Sequence, residues 1–227
     1  MLLKYYQKID DAISYLFSSV CDEKKFLKKI FGKKKIFYID IGTNEGNFLE
    51  YLNSQFKFKK IICFEPIKEL ANNLKNKFPE VEVNNSALSN KKTKKKFFEY
   101  KISSQSSIYK QNDTFKSLKE LKKIYKIDTV SFDQKFNKNK KIDFCKIDVQ
   151  GEEMNVLKGM KLNLKKKNIH LIKIEISFLE RYQGVKSNFY EIITYLMKFK
   201  YHLISISKIK YKDNQILLMD AYFISKK

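Results

Sequence analysis

A chain of 227 residues that is 43% hydrophobic and 15% aromatic can bury a real core, which excludes a largely disordered protein and makes one globular unit the simplest organisation. The formal charge of +22 invites a polyanionic partner, yet it is almost all lysine, spread along the whole chain, and Arg181 is the only arginine; a dedicated phosphate reader uses arginine forks as well. Cys21, Cys63 and Cys145 lie far apart without CxxC spacing and read as reduced thiols, and Asp10 and Asp11 interrupt any apolar leader. No run reaches the length of a membrane span. The expectation is therefore a soluble, cytoplasmic protein, with peripheral contact at a membrane surface left open.

Ile9, Ile13, Leu16, Phe17 and Val20 recur at helical spacing, so residues 1–35 read as an amphipathic lead-in or lid, and 36–227 as the core of a single domain. "IFYIDI" at 36–41 is apolar on both faces, as a central parallel strand must be. A helix over about 46–54 follows, then the strand "KIICFEP", and then a helix through "IKELANNLKNKF" that stops near Pro79. "VEVNNSALS" reads as one strand, "KKKFFEYKI" as another, "SSQSSIY" as a polar loop, and 111–127 as helical. Beyond "TVSFDQ" come the strand "IDFCKIDVQG", a helix over 152–161, the strand "IHLIKIEIS" and a helix over about 187–199. "HLISISK" and "QILLMDAYFIS" close the chain as an antiparallel pair around Lys212, Asp213 and Asn214. Strands and helices that alternate in this way build an open α/β sheet.

In such sheets ligands bind beyond the carboxyl ends of the strands. The first strand runs into "DIGTNEG", which places Gly42 and Gly46 in a strand-to-helix turn, and the second ends in Glu65, about two dozen residues on, where an acid can reach ribose hydroxyls. G-x-x-x-G is not the G-x-G-x-x-G that a dinucleotide pyrophosphate prefers. Asp40 and Glu45 would repel a phosphate while suiting a cationic amino-acid group, so the pattern favours S-adenosylmethionine over NAD. Lys146 and Asp148 share one face of the fourth parallel strand, and Lys173 and Glu175 repeat the arrangement on the fifth. Charges there need partners, and the expectation is a cross-strand network of two lysines and two carboxylates facing the reaction centre. Glu152 and Glu153 open the next helix, where they suit its dipole.

"FYIDIGTNEGNF", "CFEP", "NSALS", the serines before an apolar residue, "VSFDQ", "IDFCKIDVQGEEMNVLKGM" and "IKIEIS" together resemble the FkbM family of S-adenosylmethionine-dependent methyltransferases over roughly residues 36–180. The K-I-D-V-x-G-x-E block is the most specific piece; Thr43 and the Ser103–Gln105 turn depart from the usual pattern without removing a ligand group. The resemblance implies a class I Rossmann-like fold, with a mostly parallel seven-stranded sheet, helices on both faces and a terminal antiparallel hairpin. It also implies O-methylation of a sugar, glycolipid or polyketide-type acceptor. Carried over position by position, it puts Asp40, Gly42, Asn44 and Gly46 around the methionine portion of the cofactor, Glu65 on the ribose, Ser86 and Ala87 at the adenine, and Asp148 beside the transferable methyl. Ser106 and Ser107 become candidate cofactor or acceptor contacts.

A hydroxyl needs a base, and His170 and His202 both start their strands, at the end of the sheet away from the cofactor. The expected catalytic set is Asp148 as base or metal ligand, Lys146 orienting it and Glu175 in support, with a divalent cation such as magnesium held by Asp148 and Glu175 as a variant. The acceptor is a small molecule or glycan, including phosphorylated or nucleotide-linked sugars of surface polysaccharide synthesis. The rivals are an RNA ribose methyltransferase and a non-catalytic basic module docking on membrane or glycan machinery. An N-P-P-[YF] motif is impossible, since the two prolines are Pro66 and Pro79.

Overall fold

The computed structural model describes residues 22–118, 120–136, 140–186 and 189–225. Its first element is helix α1 (Glu23–Phe31), capped by Asp22, whose side chain accepts a 2.8 Å hydrogen bond from the Lys25 amide. Leu27 and Phe31 are its buried face. The apolar stripe from Ile9 to Val20, like Cys21, lies outside the described residues.

Strand β1 (Ile36–Ile41), helix α2 (Asn47–Asn53), strand β2 (Phe58–Phe64), helix α3 (Lys68–Lys77) and strand β3 (Glu82–Asn84) form the first half of the sheet. Strand β4 (Ala87–Ser89), strand β5 (Thr93–Tyr100) and strand β6 (Leu121–Ser131) form a separate three-stranded sheet of order β4-β6-β5. Helix α4 (Phe132–Lys135), strand β7 (Ile142–Ile147), helices α5 (Glu153–Gly159) and α6 (Lys161–Lys165), and strand β8 (Ile169–Ser177) follow. Helix α7 (Phe189–Lys198) leads to the hairpin of β9 (Tyr201–Lys212) and β10 (Gln215–Ser225).

The main sheet has the order β3-β2-β1-β7-β8-β10-β9. Order reverses between β1 and β7, which pair in parallel, and that switch point opens a crevice at their carboxyl ends. β10 runs antiparallel to both β8 and β9. The hairpin turns on Asp213 and Asn214, with φ of +48° and +62°, the left-handed pair that a two-residue turn requires. The two faces of the sheet carry different cores: Ile39, Ile41, Cys145, Ile147 and Ile172 pack under α5 and α7, whereas Tyr38, Phe144, Leu171 and Tyr222 pack under α1, α2 and α3. Cys63 and Cys145 are buried free thiols, and among the described residues no helix is long and apolar enough to cross a membrane.

Two expectations are corrected. The stretch 111–127 is not one helix: two turns of 3₁₀ helix (Asp113–Leu118) give way to β6, where Phe98 sits opposite Ile124 and Phe97 opposite Tyr125. Leucine and lysine favour a helix locally, but pairing with β5 decides the outcome, and Ile124, Tyr125 and Ile127 suit a strand. "VEVNNSALS" is two strands in two sheets, because Asn85 turns the chain, its side-chain amide donating to the carbonyls of Glu65 and Pro66, each at 2.9 Å.

Candidate active site

The turn after β1 explains the spacing of its glycines. Gly42 has φ +80°, and a Cβ there would lie 1.9 Å from the Asp148 carbonyl oxygen, so the backbones that leave β1 and β7 touch at this point. Gly46 is the left-handed N-cap of α2, and a Cβ on it would meet the Leu74 side chain at 2.7 Å. Between them, Asn44 at φ +53° donates its amide to Glu65 Oε2 at 2.8 Å, while Glu65 Oε1 accepts from the Ile67 amide at 2.8 Å. Glu65 is therefore held by one backbone donor on each oxygen, which leaves a lone pair on each for a ligand. Burial pushes its carboxyl up to about 7 against those two donors.

A cleft of about 630 Å³ opens at the carboxyl ends of β1, β2 and β7. Gly42, Asn44, Glu65, Asp148 and Gln150 line its polar part, and Phe64, Pro66, Ile67, Leu88, Phe97 and Ile108 its apolar part. Ala87 lines it and Ser86 does not. Phe97 belongs to β5, so the small sheet supplies a wall of the cleft that no short stretch of the chain announces. Ser103, Ser104 and Ser106 of the polar loop face the cleft; Ser107 instead donates to the Gln150 carbonyl at 2.6 Å, clasping the loop to the chain after β7. Asp40 and Gly46 lie behind the lining.

The expected network of two lysines and two carboxylates separates into three clusters. Lys146 reaches Asp40 at 3.3 Å, the Gly42 carbonyl at 3.1 Å and Asp148 at 3.5 Å. Lys173 points elsewhere, to Asp220 at 3.0 Å and to Glu23 of α1, with its ammonium 3.9 Å from the Phe48 ring centre. Glu175 pairs with Arg181 at 2.9 Å. The link between the carboxylates is Gln150, whose side-chain nitrogen donates to Asp148 at 2.7 Å and to Glu175 at 3.0 Å. Its side-chain oxygen accepts from Arg181 at 2.9 Å and from the Tyr182 hydroxyl at 2.8 Å, which fixes which end of the amide meets the carboxylates. Burial alone would raise the Asp148 carboxyl, but Lys146, Gln150 and Arg181 hold it below the ordinary range. Burial and the neighbouring Asp148 charge push Glu175 up. Glu175 lines a second cavity of about 270 Å³, with Glu153, Arg181 and Tyr182, and does not reach the first.

Glu152 is the N-cap of α5 and Glu153 its first residue, as the dipole reading expects, but Glu152 also has a second role. It is 1% exposed, and its carboxylate accepts from Ser89, Lys95, Tyr109 and Asn155, tying the small sheet to α5. Glu153 folds back onto the amides of Val149 and Gly151 at 3.0–3.1 Å. His170 and His202 lie at the starts of β8 and β9, far from the cleft. Gln150, Arg181 and Tyr182 escaped the sequence reading, although the sole arginine of a lysine-rich chain was a signal.

The donor set fits S-adenosylmethionine: carboxylates suit a cationic methionine portion, Glu65 a ribose, and the Phe64 to Ile108 wall an adenine ring. It fits a divalent cation poorly. The Gln150 amide occupies the space between Asp148 and Glu175, and the Arg181 guanidinium already holds Glu175, so the oxygens that would ligate a metal face N–H donors. Among the described residues no group of three metal-ligating side chains converges.

A doubly wound sheet with this cleft at its switch point is the architecture of class I Rossmann-like methyltransferases. The Methyltransferase FkbM domain family matches residues 40–203, and the chain belongs to that family. Among solved structures, methyltransferase FkbM from Methylobacillus flagellatus aligns with TM-score 0.55 at 14% identity, over 82% of this chain and 43% of that one. The chain thus spans less than half of that relative's length. N-methyltransferase NodS from Bradyrhizobium japonicum aligns with TM-score 0.53 at 9% identity, over 89% and 93% of the two chains. An S-adenosylmethionine-dependent methyltransferase from Clostridium acetobutylicum aligns with TM-score 0.50 at 12% identity, over 98% and 99%. No curated protein matches the chain.

Proposed function

We propose that the protein transfers a methyl group from S-adenosylmethionine to a hydroxyl of a sugar, glycolipid or related small acceptor, including phosphorylated or nucleotide-linked sugars. The fold does not choose the acceptor atom, since a neighbour of the same architecture is an N-methyltransferase, so the choice rests on the site. The observation that carries the reading is Asp148: a carboxylate held in its ionised form, with its side chain 31% exposed toward the cleft. An ionised carboxylate in that place can take the proton of an acceptor hydroxyl as the new bond to carbon forms.

S-adenosylmethionine, when bound, supplies the electrophilic methyl. Glu65 would hold the ribose hydroxyls, Asn44 and Gly42 would frame the methionine portion, and the Phe97 wall would exclude water from the base. Lys146 bonds to the Gly42 carbonyl and Asp148 together and so fixes the distance between the cofactor turn and the proton acceptor. Gln150 sets the rotamer of Asp148 from the other side.

The test is methyl transfer from labelled S-adenosylmethionine to a panel of phosphorylated sugars, amines and RNA, with wild type beside Asp148→Asn. Transfer to sugar hydroxyls that falls by about 10²–10⁴-fold in the variant, with S-adenosylhomocysteine binding kept, is the expected result. Undiminished turnover in the variant would remove Asp148 as base, and transfer confined to amines or to RNA would replace the acceptor class.

A further inference from the structure

The topology sorts the charge of the molecule. β1, β2, β7 and β8 are parallel, and β9 runs with them because it is antiparallel to β10, which is antiparallel to β8. Their amino-terminal ends therefore emerge together, at the end of the sheet opposite the cleft. The chain entering each is rich in lysine: "GKKK" at 32–35, "KFKK" at 57–60, "KK" at 140–141, "KKKN" at 165–168 and "KFK" at 198–200. Lys33, Lys35, Lys165 and Lys166 are exposed. Two carboxylates at this end are held by lysines of these same runs, Asp143 by Lys34 and by Lys59 at 2.8 Å, and Glu82 by Lys60 at 2.7 Å. Glu65, Asp148 and Glu152 line the cleft at the opposite end, and Glu175 lines the second cavity. The lysines of these five runs, far apart in the sequence, thus form one positive pole.

We infer that this pole is a docking surface for an anionic lipid bilayer. Lysine ammonium groups are strongly hydrated point charges that suit a diffuse layer of headgroup phosphates, and the pole carries no arginine fork. Two aliphatic side chains stand among them: Met197, 55% exposed beside Lys198, and Leu203, 40% exposed just beyond Lys200. Aliphatic groups interleaved with lysines suit the headgroup boundary. Bases would need aromatic platforms, and among the described residues the exposed aromatics Tyr190 and Tyr211 sit at the other end, in the first turn of α7 and the last residues of β9. A strand of six residues spans about 20 Å, so docking by this pole holds the cleft that far from the bilayer and open to water. The inference goes beyond methyl transfer and does not depend on it.

The experiment is sedimentation of the full chain with equimolar phosphatidylglycerol–phosphatidylcholine vesicles and with pure phosphatidylcholine vesicles. Lys33→Glu/Lys35→Glu/Lys166→Glu is compared with Lys110→Glu/Lys186→Glu/Lys210→Glu, a triple variant with the same change in net charge placed away from the pole; circular dichroism verifies that each is folded. The wild type is expected to pellet with the anionic vesicles alone and to release on raising salt. The pole variant is expected to bind at least about a hundredfold more weakly, on the scale of one lysine's contribution each, while the control stays within a fewfold. Absence of wild-type binding to anionic vesicles would overturn the inference, and so would equal losses in both variants. Tighter binding of a single-stranded RNA oligonucleotide, lost in the same pole variant, would overturn it in favour of nucleic acid.

Discussion

Glu65 joins the cofactor turn to the second strand and is the residue on which cofactor affinity should turn. Burial pushes its carboxyl up to about 7, and on the proposed function only the ionised form would accept from both hydroxyls of a ribose while keeping the Asn44 and Ile67 amides. Affinity for S-adenosylhomocysteine should therefore strengthen as pH rises from about 6 to about 8, by calorimetric titration. In Glu65→Gln it should be weaker by about 10–100-fold and flat with pH, the loss of charge-assisted hydrogen bonds. A pH-independent wild type would mean that the carboxylate does not meet the ligand. Gly42 offers a second test at this scale. Alanine there must adopt φ +80° and place a methyl 1.9 Å from a backbone oxygen that cannot move aside, so the urea midpoint should report a loss of about 3 kcal/mol or more.

Between elements, charge pairs do what hydrophobic packing alone does not: they fix which helix covers which strand. Lys173 is 1% exposed and pins α1 to the sheet through Glu23, and β8 to β10 through Asp220. Lys173→Met removes the partner of two carboxylates at once and should cost about 3–5 kcal/mol of unfolding free energy, with S-adenosylhomocysteine affinity of the folded fraction unchanged. A parallel loss of cofactor affinity would return Lys173 to the site. The pairing of Lys146 with Asp148 was legible in "KIDV", because both side chains lie on one face of one strand. The destination of Lys173 was not, because its partners come from a helix and a strand far away in the chain.

For the whole molecule, the buried carboxylates of the cleft and of the second cavity set the pH dependence of stability. Glu65 and Glu153 have carboxyls raised by burial to about 7, and burial with the Asp148 charge raises Glu175. Unfolded, each titrates at about 4.3, so between about 4.5 and 7 the folded chain holds more protons than the unfolded one, and stability falls as pH rises through that window. Asp143 acts oppositely: burial would raise it, but Lys34 and Lys59 hold it low, so its contribution is present above its unfolded value and is lost in acid. Urea unfolding of the ligand-free protein should show stability decreasing from about pH 5 to about pH 7, and Glu153→Gln should lessen that slope. An identical slope in the variant would show that Glu153 does not titrate in this range.

Local information carried far in this chain. A doubly apolar "IFYIDI", an acid ending the second strand and glycines at a turn are properties of short stretches, and strand pairing only had to agree with them. They determined the α/β class, the end of the sheet at which the cleft opens, and Asp40, Glu65 and Asp148 as residues of that region. What pairs only across long separations was decided by the tertiary structure: the strand identity of 121–131, the wall supplied by Phe97, and the lock of Arg181 and Tyr182 on Gln150. The positive pole belongs with them. Each lysine run precedes a different strand, and only the shared direction of those strands brings the runs to one end of the sheet, since a side chain's neighbours along the chain do not fix its neighbours in space.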